Sequence, residues 1–130
     1  MTLQVELVSP ERILYSGEAE MVVCRTVGGG EVAFLTGHAP FLGALDIEMV
    51  RVKTGDGEQA AAVHGGFVHV RDDQVIVLSD VAELPDQIDV ERARRAKEAA
   101  EREAMEKDDA AAQAALTRAL LRVRTAEQYA

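Results

Sequence analysis

The chain has one cysteine, three prolines, no tryptophan and only three phenylalanines and two tyrosines in 130 residues. The lone Cys24 excludes an internal disulfide and a multi-cysteine metal site. Within Met21-Val22-Val23-Cys24 it is expected to be a small buried apolar residue. Long apolar runs are missing too. None approaches the ~20 residues that span a bilayer, and Met1-Thr2-Leu3-Gln4 lacks the basic leader and apolar core of a signal peptide. The chain is therefore expected to be soluble, unexported and without direct membrane insertion. Bases are scarce in the first part: residues 1–88 hold fourteen acids and five bases, while 89–130 hold nine of each, so the net charge of −9 sits on the first part. A nucleic-acid binder presents a basic face, so this surface argues against contact with phosphate backbones.

Catalytic signatures are absent as well. Gly28-Gly29-Gly30 is not followed by Gly-Lys-Ser/Thr and its flanks read as strands, so it is expected to be a turn rather than a phosphate loop. His38, His64 and His69 have no metal-motif spacing, and no metal site is expected. A metal-dependent enzyme built on those three histidines ranks last among the readings. There is no Gly-X-Ser-X-Gly, no cysteine beside a base and no pair of carboxylates in a glycine-rich cleft. The chain is expected to be no enzyme, with no catalytic residues and no required cofactor.

What is present changes character once. Leu3, Val5 and Leu7 alternate with Gln4 and Glu6, the period of a strand with one buried face. Short runs of the same kind follow at Ile13–Tyr15, Met21–Val27, Glu31–Leu35, Met49–Lys53, Ala60–His64, Phe67–Arg71 and Gln74–Leu78. Between them lie Ser16-Gly17, the triple glycine, Gly55-Asp56-Gly57, Gly65-Gly66 and Asp72-Asp73, which turn the chain at low cost. Many short strands with close turns predict an antiparallel sandwich or barrel. After Leu84-Pro85-Asp86-Gln87-Ile88-Asp89 come about forty residues rich in alanine and charge, with no glycine or proline. The expected division is a sandwich over 1–84, a linker over 85–88 and a helical hairpin over 89–130, one core with one arm.

Ala93, Ala96, Ala100 and Ala104 predict the buried stripe of the first helix, and Glu91/Arg95, Glu98/Arg102 and Glu103/Lys107 are i,i+4 pairs in the favourable order. Asp108 or Asp109 caps a second helix whose expected stripe is Ala112, Ala115, Leu116, Ala119, Leu120 and Val123. Alanine seams bury little area, so the hairpin is expected to be mobile. Arg118 and Arg122 lie four apart with no acid beside them in sequence, an arrangement that an external carboxylate would relieve. At the entry to the first helix, Asp89 reads as the N-cap, Ile88 as the staple onto Ala93, and Glu91 suits the positive helix end. Arg92 opposes the helix dipole there, so it either reaches solvent or meets an anion held at the helix N-terminus.

Several segments taken in order resemble one family. They are Val8-Ser9-Pro10-Glu11 with Ser16-Gly17-Glu18-Ala19, Gly37-His38-Ala39-Pro40 before an apolar run, Gly65-Gly66-Phe67 with Val75-Ile76-Val77-Leu78-Ser79-Asp80, and Ile88-Asp89-Val90-Glu91-Arg92-Ala93. Over nearly the whole chain they resemble the epsilon subunit of F-type ATP synthases, called delta in mitochondria. The resemblance implies a ten-stranded antiparallel β-sandwich and a C-terminal two-helix hairpin. It also implies a peripheral rotor subunit on the cytoplasmic face of the bacterial membrane, coupling proton translocation to ATP synthesis. The sandwich would contact the gamma subunit and the polar loops of the c-ring, with Glu31 and His38 as interface residues. The loop departs from the family's Gly-Ile-Leu/Tyr-Pro by reading Ala33-Phe34-Leu35-Thr36. The helices would reach the alpha/beta catalytic head, where Arg118 and Arg122 meet an acidic segment, and inhibit ATP hydrolysis. ATP as a regulatory ligand is implied through Ile88, Asp89, Arg92, Ala93 and Arg122, with Ala99 standing where a further phosphate-binding arginine is found. The alternative is a free-standing soluble ATP-sensing module, which only its partners would distinguish.

Overall fold

A computed structural model describes residues 1–129. Eight strands come first: β1 Leu3–Val8, β2 Ile13–Ala19, β3 Met21–Thr26, β4 Gly30–Phe34, β5 Phe41–Thr54, β6 Gly57–Arg71, β7 Gln74–Leu78 and β8 Ala82–Glu83. A single 3-10 turn over Pro85–Gln87 leads into α1 Val90–Glu106 and α2 Ala110–Tyr129. The strands lie in the order β2-β1-β7-β6-β5-β3-β4, with β8 against β6. Leu3, Val5 and Leu7 are buried as their alternation predicts, and they pack with Val75 and Val77 of β7, Val22 and Cys24 of β3, Phe34 of β4 and Val50 and Val52 of β5. One core therefore joins strands from both ends of the path, and the sheet folds over on itself as a sandwich. Burial pushes the Cys24 thiol up to about 12.

The ten antiparallel strands implied by the resemblance are eight among the described residues, and one pairing, β1 with β7, is parallel. The count falls because β5 and β6 form one long antiparallel ribbon, paired from Phe41 opposite Val70 to Thr54 opposite Gly57. Ala60–His64 and Phe67–Arg71, expected as separate strands, are two halves of β6. The intervening Gly65 and Gly66 adopt φ of +84° and +129° yet keep the register, so they bend the strand instead of ending it. Only glycine fits at 66, since a Cβ there would stand 2.1 Å from the Leu78 carbonyl oxygen.

The ribbon's period of two sends Ala61 and Val63 into the sandwich core and Ala60 and Ala62 to the opposite face, where Met49 joins them beneath the helices. This second cluster also holds Ile88, Ala93, Leu121, Val123 and Ala126. Burying a valine or leucine is worth roughly 1.5–3 kcal/mol, and an alanine far less. The valine-rich sandwich core closes without the hairpin, while the alanine-rich second cluster gives the hairpin modest purchase.

Of the predicted α1 stripe, Ala93 and Ala100 are buried and Ala104 is half-buried, but Ala96 is exposed. Lys107 pairs with Glu103 as expected; Glu91 pairs with Arg94 instead of Arg95. In α2 the predicted stripe is correct at Ala112, Ala119 and Val123 and wrong at Ala115 and Leu120, which are exposed. Leu121, Thr125 and Ala126 are buried instead. At 3.6 residues per turn, Leu121 and Thr125 lie on the side of the helix away from Ala112 and Ala119. The helix is covered on two sides, by α1 and by the sandwich. No helix of the described residues is long and apolar enough to cross a membrane.

Candidate functional site

Asp89 caps α1, its Oδ1 accepting from the Arg92 backbone N–H at 3.1 Å, and Ile88 is buried in the same cluster as Ala93. The turn before it is fixed by the Leu84 N–H donating to the Gln87 side-chain carbonyl at 2.9 Å. These local devices aim the first turn of α1 at the sandwich. A cleft of about 330 Å³ opens there, lined by Glu83, Gln87, Ile88, Asp89, Arg92, Ala93, Ala96 and Arg122. Ile88, Asp89, Arg92, Ala93 and Arg122, five residues singled out in the sequence, thus line one cleft. Its volume is at the small end of the ~300–1,000 Å³ typical of small-molecule sites.

The charges of the cleft are unequally committed. Arg122 donates from Nε to Glu83 Oε1 at 2.7 Å, and the same oxygen accepts from His64 Nε2 at 2.8 Å. A carboxylate can only accept, so Nε2 is the protonated ring nitrogen of His64. Its Nδ1 is buried without a hydrogen-bond partner among the described residues. Burial by itself would raise the Glu83 pKa, but the hydrogen bonds from His64 and Arg122 and their charge outweigh it, leaving the carboxyl below its usual 4.5. Asp89 is engaged as a cap. Arg92 is exposed and has no ion pair among the described residues. It is the cleft's one uncommitted charge, and it stands beside the free N–H groups of a helix N-terminus.

The view of Arg118 and Arg122 as a pair lacking an acid is corrected by this geometry. Glu83, 39 residues away in sequence, supplies the acid for Arg122. Arg118 is exposed and unpaired among the described residues. Two further contacts tie α2 down: Arg124 to Glu48, and the Tyr129 hydroxyl donating to Glu58. Desolvation, then the hydrogen bond to Glu58 and its charge, push the Tyr129 phenol up to about 12.

Glu31 and His38 are not brought together. Glu31 lies at the start of β4 and pairs with Arg51 of β5 at 2.6 Å, beside Glu48, Arg124 and Gln128. His38 lies in the loop beyond the other end of β4, its ring edge-on to Phe34 at 4.9 Å and its Nδ1 2.7 Å from the Ala39 carbonyl oxygen. The Gly37 N–H donates to Asp73 Oδ1 at 2.7 Å, pinning that loop to the β6–β7 turn. His64 is buried under Glu83 and His69 is exposed opposite Leu42, so the three histidines do not converge. No group of three or more metal-ligating side chains occurs among the described residues.

A further surface escaped the sequence reading. Leu42, Phe67 and Leu78 are 71%, 57% and 50% exposed, and register places Phe67 opposite Leu78 and Leu42 opposite His69 on the outer face of the ribbon. Val8, Pro10, Phe67 and Leu78 line an adjoining groove. The signal was there in Val75-Ile76-Val77-Leu78, where every position is apolar and both faces of the strand must be. A contiguous exposed apolar face marks an interaction surface.

A family model described as "ATP synthase, Delta/Epsilon chain, beta-sandwich domain" matches residues 2–85. The chain is similar to the ATP synthase epsilon chain of Brevibacillus brevis, with 49% identity over 106 residues, covering 81% of this chain and 80% of the relative. To the ATP synthase epsilon chain of Thermobifida fusca it is 46% identical over 132 residues, covering 98% and 96%. Among solved structures it resembles a chain in the cryo-EM structure of the Euglena gracilis mitochondrial ATP synthase, with TM-score 0.77 and 22% identity, covering 98% of this chain and 82% of that one. At that identity the likeness shows the fold.

The Glu83 cluster gives a pH dependence with a definite sign. A carboxylate whose pKa is depressed on folding stabilises above its unfolded value and loses that contribution as pH falls through the folded one. Thermal stability of the full chain is expected to decline below about pH 4.5, the ordinary value of the group, and Glu83→Gln to flatten that decline while lowering stability at pH 7. Thermal melts of both proteins between pH 3 and 7 check this; identical acid limbs would remove Glu83 from the account.

Proposed function

The chain belongs to the ATP synthase delta/epsilon family, and on that premise we propose that it is a non-catalytic central-stalk subunit that couples proton translocation to ATP synthesis and restrains ATP hydrolysis through its helices. The observation that supports this most is the unequal attachment of the two parts. The sandwich closes its own core, while the hairpin rests on it through α2, a thin alanine-rich contact and a few polar side chains. An element held in this way can leave without unfolding its support.

In this reading the apolar face of Leu42, Phe67 and Leu78 meets the gamma subunit, and the pinned His38 loop meets the polar loops of the c-ring. Glu31, committed to Arg51, contributes at the sandwich edge. Released helices extend toward the alpha/beta head, where Arg118 engages carboxylates at once and Arg122 does so after giving up Glu83. The sandwich acts as a peripheral part at the cytoplasmic face of the membrane. Truncation after Ile88 tests the brake: the assembled enzyme is expected to retain the truncated chain and proton coupling while its ATP hydrolysis rises. Unchanged hydrolysis would remove the brake, and absence of the chain from the enzyme would favour a free-standing sensor.

The cleft supports ATP as a regulatory ligand. The first turn of α1 offers N–H groups and Arg92 offers an uncommitted cation, while Arg122 becomes available only on leaving Glu83. Such a site, with Ala99 supplying no charge, binds phosphates with fewer cations than the motif alone suggests. Isothermal titration of the full chain is expected to show ATP binding weakened about tenfold or more in Arg92→Ala, as a charged hydrogen bond of ~1.5–3 kcal/mol implies. No heat at millimolar ATP, or equal affinity in both proteins, would leave a purely mechanical subunit.

A further inference from the structure

The three glutamates that receive α2 share one arrangement. Glu48 lies between Arg25 of β3, 3.8 Å away, and Arg124 of α2. Glu58 lies between Lys53 of β5, 3.9 Å away, and the Tyr129 hydroxyl of α2. Glu83 lies between His64 of β6, 2.8 Å away, and Arg122 of α2, 2.7 Å away. Each carboxylate thus has one basic partner in the sandwich and one polar partner on the final two turns of the hairpin. In contrast, α1 reaches the rest of the molecule chiefly through α2, by the Ala93 and Ala100 seam and by Arg94 bridging to Glu127 at 3.0 Å.

We propose that these three carboxylates form a reversible ionic clasp for the end of α2, with Arg25, Lys53 and His64 as positioning residues that hold each carboxylate in place whether or not the helix is docked. When α2 leaves, Glu48, Glu58 and Glu83 each keep a partner, so release strands no carboxylate alone on the sandwich. The ionic difference between the docked and released states is correspondingly small. The two ion pairs that α2 itself makes, Arg122 with Glu83 and Arg124 with Glu48, involve side chains at least a quarter exposed at both partners, where salt screens charge over ~8 Å. The apolar floor of Met49, Ala60, Ala62, Leu121 and Ala126 does not respond to salt in that way. Docking therefore depends on ionic strength, and the hairpin departs as a unit led by α2, with α1 carried along. The inference rests on contacts within this chain and stands whether or not the released helices restrain hydrolysis.

The test is a distance measurement in the full chain with Cys24→Ser, labelled at Asp56→Cys on the β5–β6 turn and Glu101→Cys on α1, both exposed positions. Double electron–electron resonance reports docked and released populations from about 20 mM to 1 M salt. The docked-to-released ratio is expected to fall about threefold over that range, since the two exposed ion pairs of α2 contribute fractions of a kcal/mol each. Arg122→Gln with Arg124→Gln should begin at the lower ratio and respond little to salt, with helical circular dichroism unchanged. Lys53→Gln should leave Glu58 held by Tyr129 alone and broaden the docked distance distribution. A salt-independent ratio in the parent protein, a double variant that docks as well as the parent, or a hairpin released at every salt concentration would each overturn the clasp.

Discussion

Helix α2 is packed on two sides at once, and the rest of the molecule is arranged around that constraint. One side carries the buried Ala112 and Ala119, and the other sets Leu121 against a floor of Met49, Ala60 and Ala62. A helix held on both sides cannot move without choosing which contact to keep. The seam with α1 continues along the hairpin, whereas the contact with the sandwich is confined to the last turns. The contact with the sandwich is the shorter of the two, and under the proposed function it is the one that opens.

The charge distribution serves the same division. The acidity of the first part looked like a property of its surface as a whole, but three of its glutamates have specific work at the seat of α2. Glu83 and Glu48 face Arg122 and Arg124, which make the end of the chain locally basic, and Glu58 faces the Tyr129 hydroxyl. Exposed ion pairs contribute little each, so their value here is in register and reversibility more than in depth of binding. The cleft at the start of α1 joins this system through Arg122, which cannot serve Glu83 and an external anion equally well. Any ligand that draws on Arg122 acts on the clasp as well, and by linkage it shifts the hairpin only to the extent that it prefers one position of the helix.

Features governed by near neighbours were legible in the sequence. The Asp89 cap, the Ile88 staple, the Ala93 and Ala100 seam and the buried alternation of β1 follow from spacing alone. Features made by distant residues were not. Nothing near Arg122 names Glu83, and the parallel pairing of β1 with β7 joins Gln4 to Gln74. The α2 stripe was misread at Leu120 and missed Leu121 because a single-stripe pattern assumes one covered face. Gly65-Gly66 was read as a turn because positive φ usually ends a strand, and here the ladder on both sides carries the ribbon through. Glu31 and His38 stand within one short sequence window, yet β4 holds them at opposite ends.

Residue-resolved hydrogen–deuterium exchange on the full chain tests the central claim most directly, because it compares release of the hairpin with opening of the sandwich in one experiment. The amides of α1 and α2 are expected to exchange through an opening that costs far less than opening of β1, β6 and β7, and to speed up together when salt is raised while the strands do not. Helices that exchange only as slowly as the strands, at low and high salt alike, would show that hairpin and sandwich open as one unit and would contradict the account.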